Sequence, residues 1–317
     1  PEEKLAPFAH RPDDRMPGVP VKYATVCERN GHAMPAMVTA YDGRPIKLAG
    51  NPNHPLSPFG CSDVFLQAET LSLYDPYRAR WARRRSTRSG KLENVGQSPE
   101  EGWNGFYNWC RDTFDGTTPG GQIAVLHEPT SSPTFAALKD IWAQQNPGIK
   151  FYAWTPVNRD NEIQGARLLY EQYPCRWTYK LKKAKRIVAL GSDFLTDRAD
   201  SLKLASDWAA NRRSCDQGEM SRMYVIEPSM TSTGSVADHR LPLPASLIPA
   251  VAATMVQMLG FGEAKMDYSL PDKARAFVQA MVEDLKATGD DVVVIAGPGM
   301  PAEVHAMAVE ISGKLGD

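Results

Sequence analysis

From Gly121 onward the chain alternates short β-branched runs with longer helical stretches, a rhythm that few folds accept. Strands fit at QIAVLHE (122–128), IKFYAW (149–154), RIVALGS (186–192), RMYVIEP (222–228) and DVVVIAGP (291–298). The intervening PTFAALKDIWAQQ, EIQGARLLYEQY, SLKLASDWAANRR, IPAVAATMVQMLG and PDKARAFVQAMVEDLKATG carry apolar residues at helical spacing, as does the final PAEVHAMAVEISGKLG. Connections long enough to hold a helix join parallel strands, and parallel sheets are covered on both faces. The pattern therefore predicts a doubly wound α/β region of mainly parallel-sheet layers over 121–317. Ligands of such sheets sit beyond the carboxyl ends of the strands. The loops after Glu128, Trp154, Gly191 and Glu227 are where a site is expected.

The first 120 residues read differently. Residues 1–20 are proline-rich with mixed charge and predict an extended arm without a core of its own. Residues 21–75 predict a small strand-rich domain: VKYATV, PAMVTAY and PIKLA, with a hairpin turn at Asp42-Gly43, a turn-rich stretch over 50–61, and helical spacing in SDVFLQAETLSLYD (62–75). Residues 76–120 read as a connecting segment. Within it, RARWARRRSTRSGK (78–91) is a basic run, taken as a solvated loop or a docking surface for an acidic neighbour rather than a nucleic-acid patch. With 42% hydrophobic residues among 317, there is apolar material for one or two packed cores. A formal net charge of −1 gives no broad attraction to nucleic acid or anionic lipid. No apolar run reaches the roughly 18 residues of a membrane span, so membrane association is expected through partners. Pro1 at one end and a stop just after a helical pattern at the other read as the edges of a longer polypeptide.

Several chemistries lack their motifs. No G-x-G-x-x-G follows a strand, no P-loop is present, and no G-x-S-x-G elbow supports a triad hydrolase. The five cysteines, Cys27, Cys61, Cys110, Cys175 and Cys215, contain no C-x-x-C pair. His54 and His239 lie in loops and read as structural hydrogen-bonding residues before catalytic ones; His305 reads as a residue of an amphipathic helix. In EPTSSPTF (128–135) a Ser or Thr is placed to cap the next helix, an arrangement that also suits an anion. In GSDFLTD (191–197), Ser192 and Asp193 either meet a ligand's polar edge or end a strand.

The stretches YATVC, DGRPIKLAGNPNHPLS, LYDPYR, TSSPT, NRDNEIQGARL, VALGSDFL and VIEPSMTSTGSVADHRLPL lie in one order along nearly the whole chain. Together they resemble the large-subunit fold of the molybdopterin-dependent oxidoreductases, and within that superfamily the molybdopterin-like, iron–sulfur subunit of bacterial alternative complex III, a quinol-oxidising membrane complex. The resemblance implies an iron–sulfur-like domain over 21–75, followed by molybdopterin-oxidoreductase-like α/β layers. Active members carry C-x-x-C-x-x-x-C before the hairpin and a fourth cysteine after the N-P-x-H-P loop, four thiolates suited to an iron–sulfur cluster. Those positions fall on Cys27, Asn30, Met34 and Cys61, so two ligands are lost. The remaining pair are either buried thiols or, if the export that the resemblance implies applies, a disulfide. The family's molybdenum ligand falls in TPVNRDNE (155–162), where Asp160 is the one anionic candidate and a helix cap the alternative; Asn158 and Arg159 are not ligands. The pattern that positions the pterin nucleotide appears as EPSMTSTGSVAD: Glu227, Thr233 and Asp238 are kept in kind, while Ser229 replaces the arginine fork.

These losses predict that the fold is kept and its redox chemistry gone, with no catalytic residue and no cofactor in this chain. The resemblance then implies a non-catalytic scaffold in a quinol:electron-acceptor oxidoreductase, on the periplasmic face of the bacterial inner membrane. Expected partners are integral-membrane quinol-binding subunits, c-type cytochrome subunits and an iron–sulfur domain, separate or C-terminal, that holds the clusters; nucleic acid is not expected. The arm 1–20 and the basic run 78–91 are the segments expected to touch neighbours. One alternative is a catalytically active molybdopterin-dependent subunit in which Asp160 holds the metal and Thr233 and Asp238 the nucleotide. Another is a cofactor-free protein that keeps the pocket for a different small molecule.

Overall fold

The computed structural model describes residues 16, 18–79, 82–96, 98–114, 123–171, 177–213, 220–262 and 269–316. Most of the expected arm, and residues 80 and 81 of the basic run, lie outside this set. The chain divides into two compact units, one formed by residues 1–49 and 62–156, the other by 50–61 and 157–317.

In the first unit, β1 (Val21–Arg29), β2 (His32–Tyr41) and β3 (Arg44–Gly50) form a three-stranded sheet in that order. Its two turns are Asn30-Gly31 (φ 50° and 75°) and Asp42-Gly43 (φ 47° and 81°). Two successive left-handed residues twist the chain as flanking antiparallel strands require, which is why Asn-Gly and Asp-Gly sit there. Ala36 and Leu48 of the sheet close a small core with Leu66 of α1 (Val64–Leu73). Asp63 caps that helix by accepting from the Leu66 amide at 2.7 Å, and Arg29 reaches the same carboxylate at 3.0 Å.

The segment 76–120, expected only to connect, is structured. β4 (Arg83–Arg85) pairs antiparallel with β5 (Leu92–Asn94), so part of the basic run is a hairpin strand rather than a bare loop, and α2 (Pro99–Phe114) follows. Glycine explains the last miss: a Cβ on Gly105 would stand 2.6 Å from Val95 Cγ1. The residues that let α2 approach the hairpin are the ones that weaken its helical signal. Beyond it, β6 (Ala124–His127) and β7 (Lys150–Ala153) pair in parallel across α3 (Pro133–Gln145).

The second unit contains α4 (Asp160–Leu169), β8 (Arg186–Leu190), α5 (Ser201–Arg212), β9 (Arg222–Glu227), α6 (Ser232–Ser235), β10 (His239–Pro242), α7 (Ile248–Leu259), α8 (Asp272–Thr288), β11 (Val292–Ala296) and α9 (Ala302–Leu315). Its four strands are all parallel, in the order β10-β9-β8-β11. Alternate residues feed opposite cores. Val188, Leu190, Ile226 and Val294 pack with α7, α8 and α9, while Ile187, Ala189, Val225 and Ile295 pack with Leu204 of α5. Right-handed crossovers require this: the chain moves one way across the sheet from β8 to β9 and the other way to β11, so the connecting helices fall on opposite faces. All five expected strands exist, but they divide between two sheets, and β10 joins them unforeseen. Its sequence HRLP has a polar, proline-bearing character that only an edge strand accepts.

The helix pair α4 and α9 meets at a glycine. A Cβ on Gly165 would lie 2.5 Å from His305 Cβ and 2.7 Å from the Ala302 carbonyl. Gly165→Ala is expected to destabilise this unit by about 2 kcal/mol through overpacking, although alanine is the better helix former; urea unfolding of the two proteins measures it.

Candidate functional site

Two places in the fold bring polar side chains to the carboxyl ends of parallel strands. The first lies in the first unit, beyond β6 and β7. Ser132 caps α3, accepting from the Phe135 amide at 3.2 Å. Just before it, Thr130 Oγ1 donates to Glu28 Oε2 at 2.6 Å, Ser131 Oγ donates to Glu28 Oε1 at 3.0 Å, and the Ser131 amide donates to the same oxygen. The EPTSSPTF loop is therefore both a cap and an anion site, and the anion is the protein's own carboxylate, carried there by β1. Those hydrogen bonds, Thr130 first, hold the Glu28 carboxyl below the usual carboxylate range. The turn beside it is pinned as well: Thr155 Oγ1 donates to Asn30 Oδ1 at 3.2 Å, and a Cβ on Gly31 would stand 3.1 Å from Pro129 Cβ.

This geometry bears on the positions that the resemblance assigns to cluster ligands. Cys27 and Met34 are a directly opposed cross-strand pair. Cys27 is half-buried against the small core, Met34 is buried, and Asn30 forms the turn between them. Burial, with the Glu69 carboxylate nearby, pushes the Cys27 thiol up. Cys61 ends the 50–61 loop, exposed, with its carbonyl accepting from Ser57 Oγ. Cys27 and Cys61 are both free thiols rather than a disulfide. One protonated thiol, an amide already engaged and a buried thioether on the hairpin do not fit an iron–sulfur cluster, which needs thiolates.

The second place is the switch point of the four-stranded sheet, between β8 and β11, where the direction in which the chain crosses the sheet reverses. Asp193, just past β8, accepts at Oδ1 from the Thr233 amide (2.8 Å) and Thr233 Oγ1 (2.6 Å), and at Oδ2 from Thr196. Burial raises the Asp193 carboxyl, but the Thr196 and Thr233 bonds outweigh it and leave it below its ordinary value. Glu227, ending β9 and 1% exposed, accepts from Thr231 Oγ1 at 2.6 Å, the Thr231 amide at 3.3 Å and Arg240 Nε. Only glycine fits beside it, since a Cβ on Gly234 would be 1.9 Å from Glu227 Oε1. The glycines of the crevice itself let backbone meet backbone: a Cβ on Gly297 would fall 1.8 Å from the Gly191 carbonyl, and Met300 lies over Gly191. Acceptor-only carboxylates already engaged by their own loops do not fit the phosphates of a pterin nucleotide, which need donors.

The other expected residues scatter. Asp238 lies at the amino end of the same sheet, gripped by both terminal nitrogens of Arg212 at 2.8 Å and by the Met223 amide at 2.8 Å, so it ties α5 to β9. Asp160 is exposed in the first turn of α4, where its charge suits the helix dipole, and Asn158 Oδ1 accepts from its amide at 3.2 Å. His54 Nδ1 accepts from the Leu56 amide at 3.2 Å, and His239 stacks on Tyr224. Ser192 is buried with its hydroxyl unpartnered. His305 is buried between α9 and α4, and burial lowers its imidazole below the usual range. Sequence reading missed the buried ion network beside it: Glu162 faces Arg159 at 3.5 Å and Arg198 at 3.6 Å, and Arg198 also binds Asp200 at 2.9 Å and lies over the Tyr179 ring. The run NRDNE hinted at one end of it; the other end is some 36 residues away in sequence, beyond any local pattern. Among the described residues no group of three His, Cys, Asp or Glu is placed to hold a metal ion. A groove of about 1080 Å³, rimmed by Lys180, Lys182, Lys183 and Lys203, opens at the amino end of this sheet, away from the switch point.

Comparison with known proteins reaches the fold and stops there. No family model matches the chain, and no curated protein does. Among solved structures, acetylene hydratase from Pelobacter acetylenicus superposes with a TM-score of 0.52 over 88% of this chain and 42% of its own, at 13% identity. The chain thus spans about two fifths of that neighbour's length. The likeness supports a mixed α/β architecture, at the level of fold alone.

Two outcomes test the internal anion sites. Since the Glu28 carboxyl is held below its unfolded value, its contribution is present above the ordinary glutamate range near 4 and fades as pH falls through the lowered value. Glu28→Gln should cost only about 0.5 kcal/mol at neutral pH, because the carboxylate is exposed, and should speed exchange of the Ser131 amide, with the difference from wild type closing in acid. In the second unit, Thr233→Val removes a donor from Asp193 and should raise that carboxyl toward its ordinary value while costing about 1 kcal/mol; carboxyl-carbon NMR titration reads the shift.

Proposed function

We propose that this chain is a non-catalytic scaffold part of a membrane-bound quinol:electron-acceptor oxidoreductase of the alternative complex III kind. The observation that carries this reading is that the carboxylates at the strand ends are engaged by the protein's own groups: Glu28 fills the anion site before α3, and Asp193 and Glu227 are met by Thr196, Thr233, Thr231 and Arg240. A site arranged in this way holds shape rather than substrate. On this reading electrons pass through clusters and haems in partner domains, and the chain positions those domains on the periplasmic face of the inner membrane. Integral-membrane quinol-binding subunits, c-type cytochromes and an iron–sulfur domain are the neighbours proposed. Among the described residues no helix is long and apolar enough to cross a membrane, consistent with attachment through partners.

The rival reading, an active molybdopterin enzyme with Asp160 on the metal, is disfavoured by the exposed position of Asp160 in the first turn of α4. Molybdenum, tungsten and pterin content of the purified native complex decides between them. The expected result is none of the three above trace level per chain, with iron accounted for by haem and partner clusters. One molybdenum or tungsten per chain, with pterin, would overturn the scaffold assignment.

A further inference from the structure

The parallel pair β6 and β7 lacks what parallel sheets need. Such sheets are found buried on both faces, and two strands alone are marginal in water. Here α3 covers one face, with Phe135 against His127 (ring centroids 4.8 Å apart) and Trp142 near Phe151. Among the described residues the opposite face is bare: Leu126 and Tyr152, paired in register, are 73% and 51% exposed, and Trp154 just beyond is 65% exposed. No residue of β6, α3 or β7 is buried. The same unit carries a second apolar surface without a cover among the described residues, the Trp103, Phe106, Tyr107 and Phe114 stripe of α2, at spacings of three, four and eleven residues along one side of the helix. Exposed apolar surface on this scale marks a place where something docks.

We infer that β6 and β7 are the docking edge for a further polypeptide, from outside residues 1–317, which adds at least one strand to this pair and covers the Leu126–Tyr152 face with aliphatic side chains. Each of the two strands has one edge with no neighbour among the described residues, so its amides and carbonyls call for a partner in line, and only another strand supplies one. A lipid surface would cover the rings and leave those edges unmet. A second copy related by a two-fold axis would join like edges and leave the other edge of each pair open. More than half of the solved neighbour's chain lies outside the part that this chain matches, so polypeptide of this architecture has length from which such strands can come. The inference does not depend on the functional assignment above, since an active enzyme of this fold would need the same cover.

Amide exchange over residues 123–154, measured on the 1–317 chain alone and on the native assembly, tests it. Amides of β6 and β7 should exchange about 100-fold more slowly in the assembly, as expected for strands taken from a locally open state into a closed sheet. Leu126→Lys should leave the melting temperature of the isolated chain unchanged and abolish the protection gained in the assembly. Equal exchange in both preparations would overturn the proposal, as would full protection in the isolated monomer. Protection that arises on dimerisation, or on adding phosphatidylcholine–phosphatidylglycerol vesicles, would overturn it in favour of a second copy or a lipid surface.

Discussion

A carboxylate accepts hydrogen bonds and donates none, so wherever one is drawn into a protein the surrounding loops must supply donors. Three times in this chain the loops at the carboxyl ends of parallel strands do so for one of the protein's own carboxylates: Glu28 beyond β6, Asp193 beyond β8 and Glu227 at the end of β9. The donors are mainly threonine and serine hydroxyls and the first amides of helices, the groups that would otherwise meet an anionic ligand. Their engagement fixes the loops. Thr231 caps α6 while holding Glu227, and Thr233 joins the loop after β8 to the loop after β9. What a ligand would organise in an open α/β sheet is organised here from within.

The two units solve the problem of burial unequally. In the second, alternation along β8, β9 and β11 sends neighbouring residues to two separate cores, each closed by helices, and full burial of each aliphatic side chain contributes about 1.5–3 kcal/mol. In the first, the buried aliphatic side chains are few, Met34, Ala36, Ala40, Leu48 and Leu66 among the described residues, and order rests more on tight turns and hydrogen bonds between distant segments. A unit held in that way depends on those contacts to fix its hairpin, and it leaves apolar surface exposed.

Most of the second unit was legible because its signals are local. β-branched runs mark β8, β9 and β11, and the helices α5, α7, α8 and α9 lie within a residue or two of their predicted ends. The Asp42-Gly43 turn was legible for the same reason, and Asn30-Gly31 carried an equal signal that the spacing of the cysteine positions obscured. The site was far less legible. Glu28 meets Thr130 across 102 residues, and Thr233 meets Asp193 across 40, and no periodicity encodes such encounters. Likewise Asp238, matched by motif to Glu227 and Thr233, turns out to serve the opposite end of the sheet, because a sequence pattern that runs along one strand into the next crosses the whole sheet.

The hairpin shows how a fold can outlast the ligands that the resemblance places in it. Metal–thiolate bonds would fix the relative positions of Cys27, Asn30, Met34 and Cys61; without them the hairpin needs other sources of order. Asn30-Gly31 supplies a turn whose two left-handed residues set the register of β1 on β2 by themselves. Met34 buries a long apolar side chain where a charged thiolate would have required a metal, and so replaces coordination with transfer from water. Glu28 and Asn30 then fasten the tip to the loops after β6 and β7. Each of these is a local and uncharged or self-paired interaction that does not itself draw on a metal. On the scaffold reading proposed above, that independence makes the shape available to partners as soon as the chain is made, and the apolar surfaces left open among the described residues are those on which assembly can act.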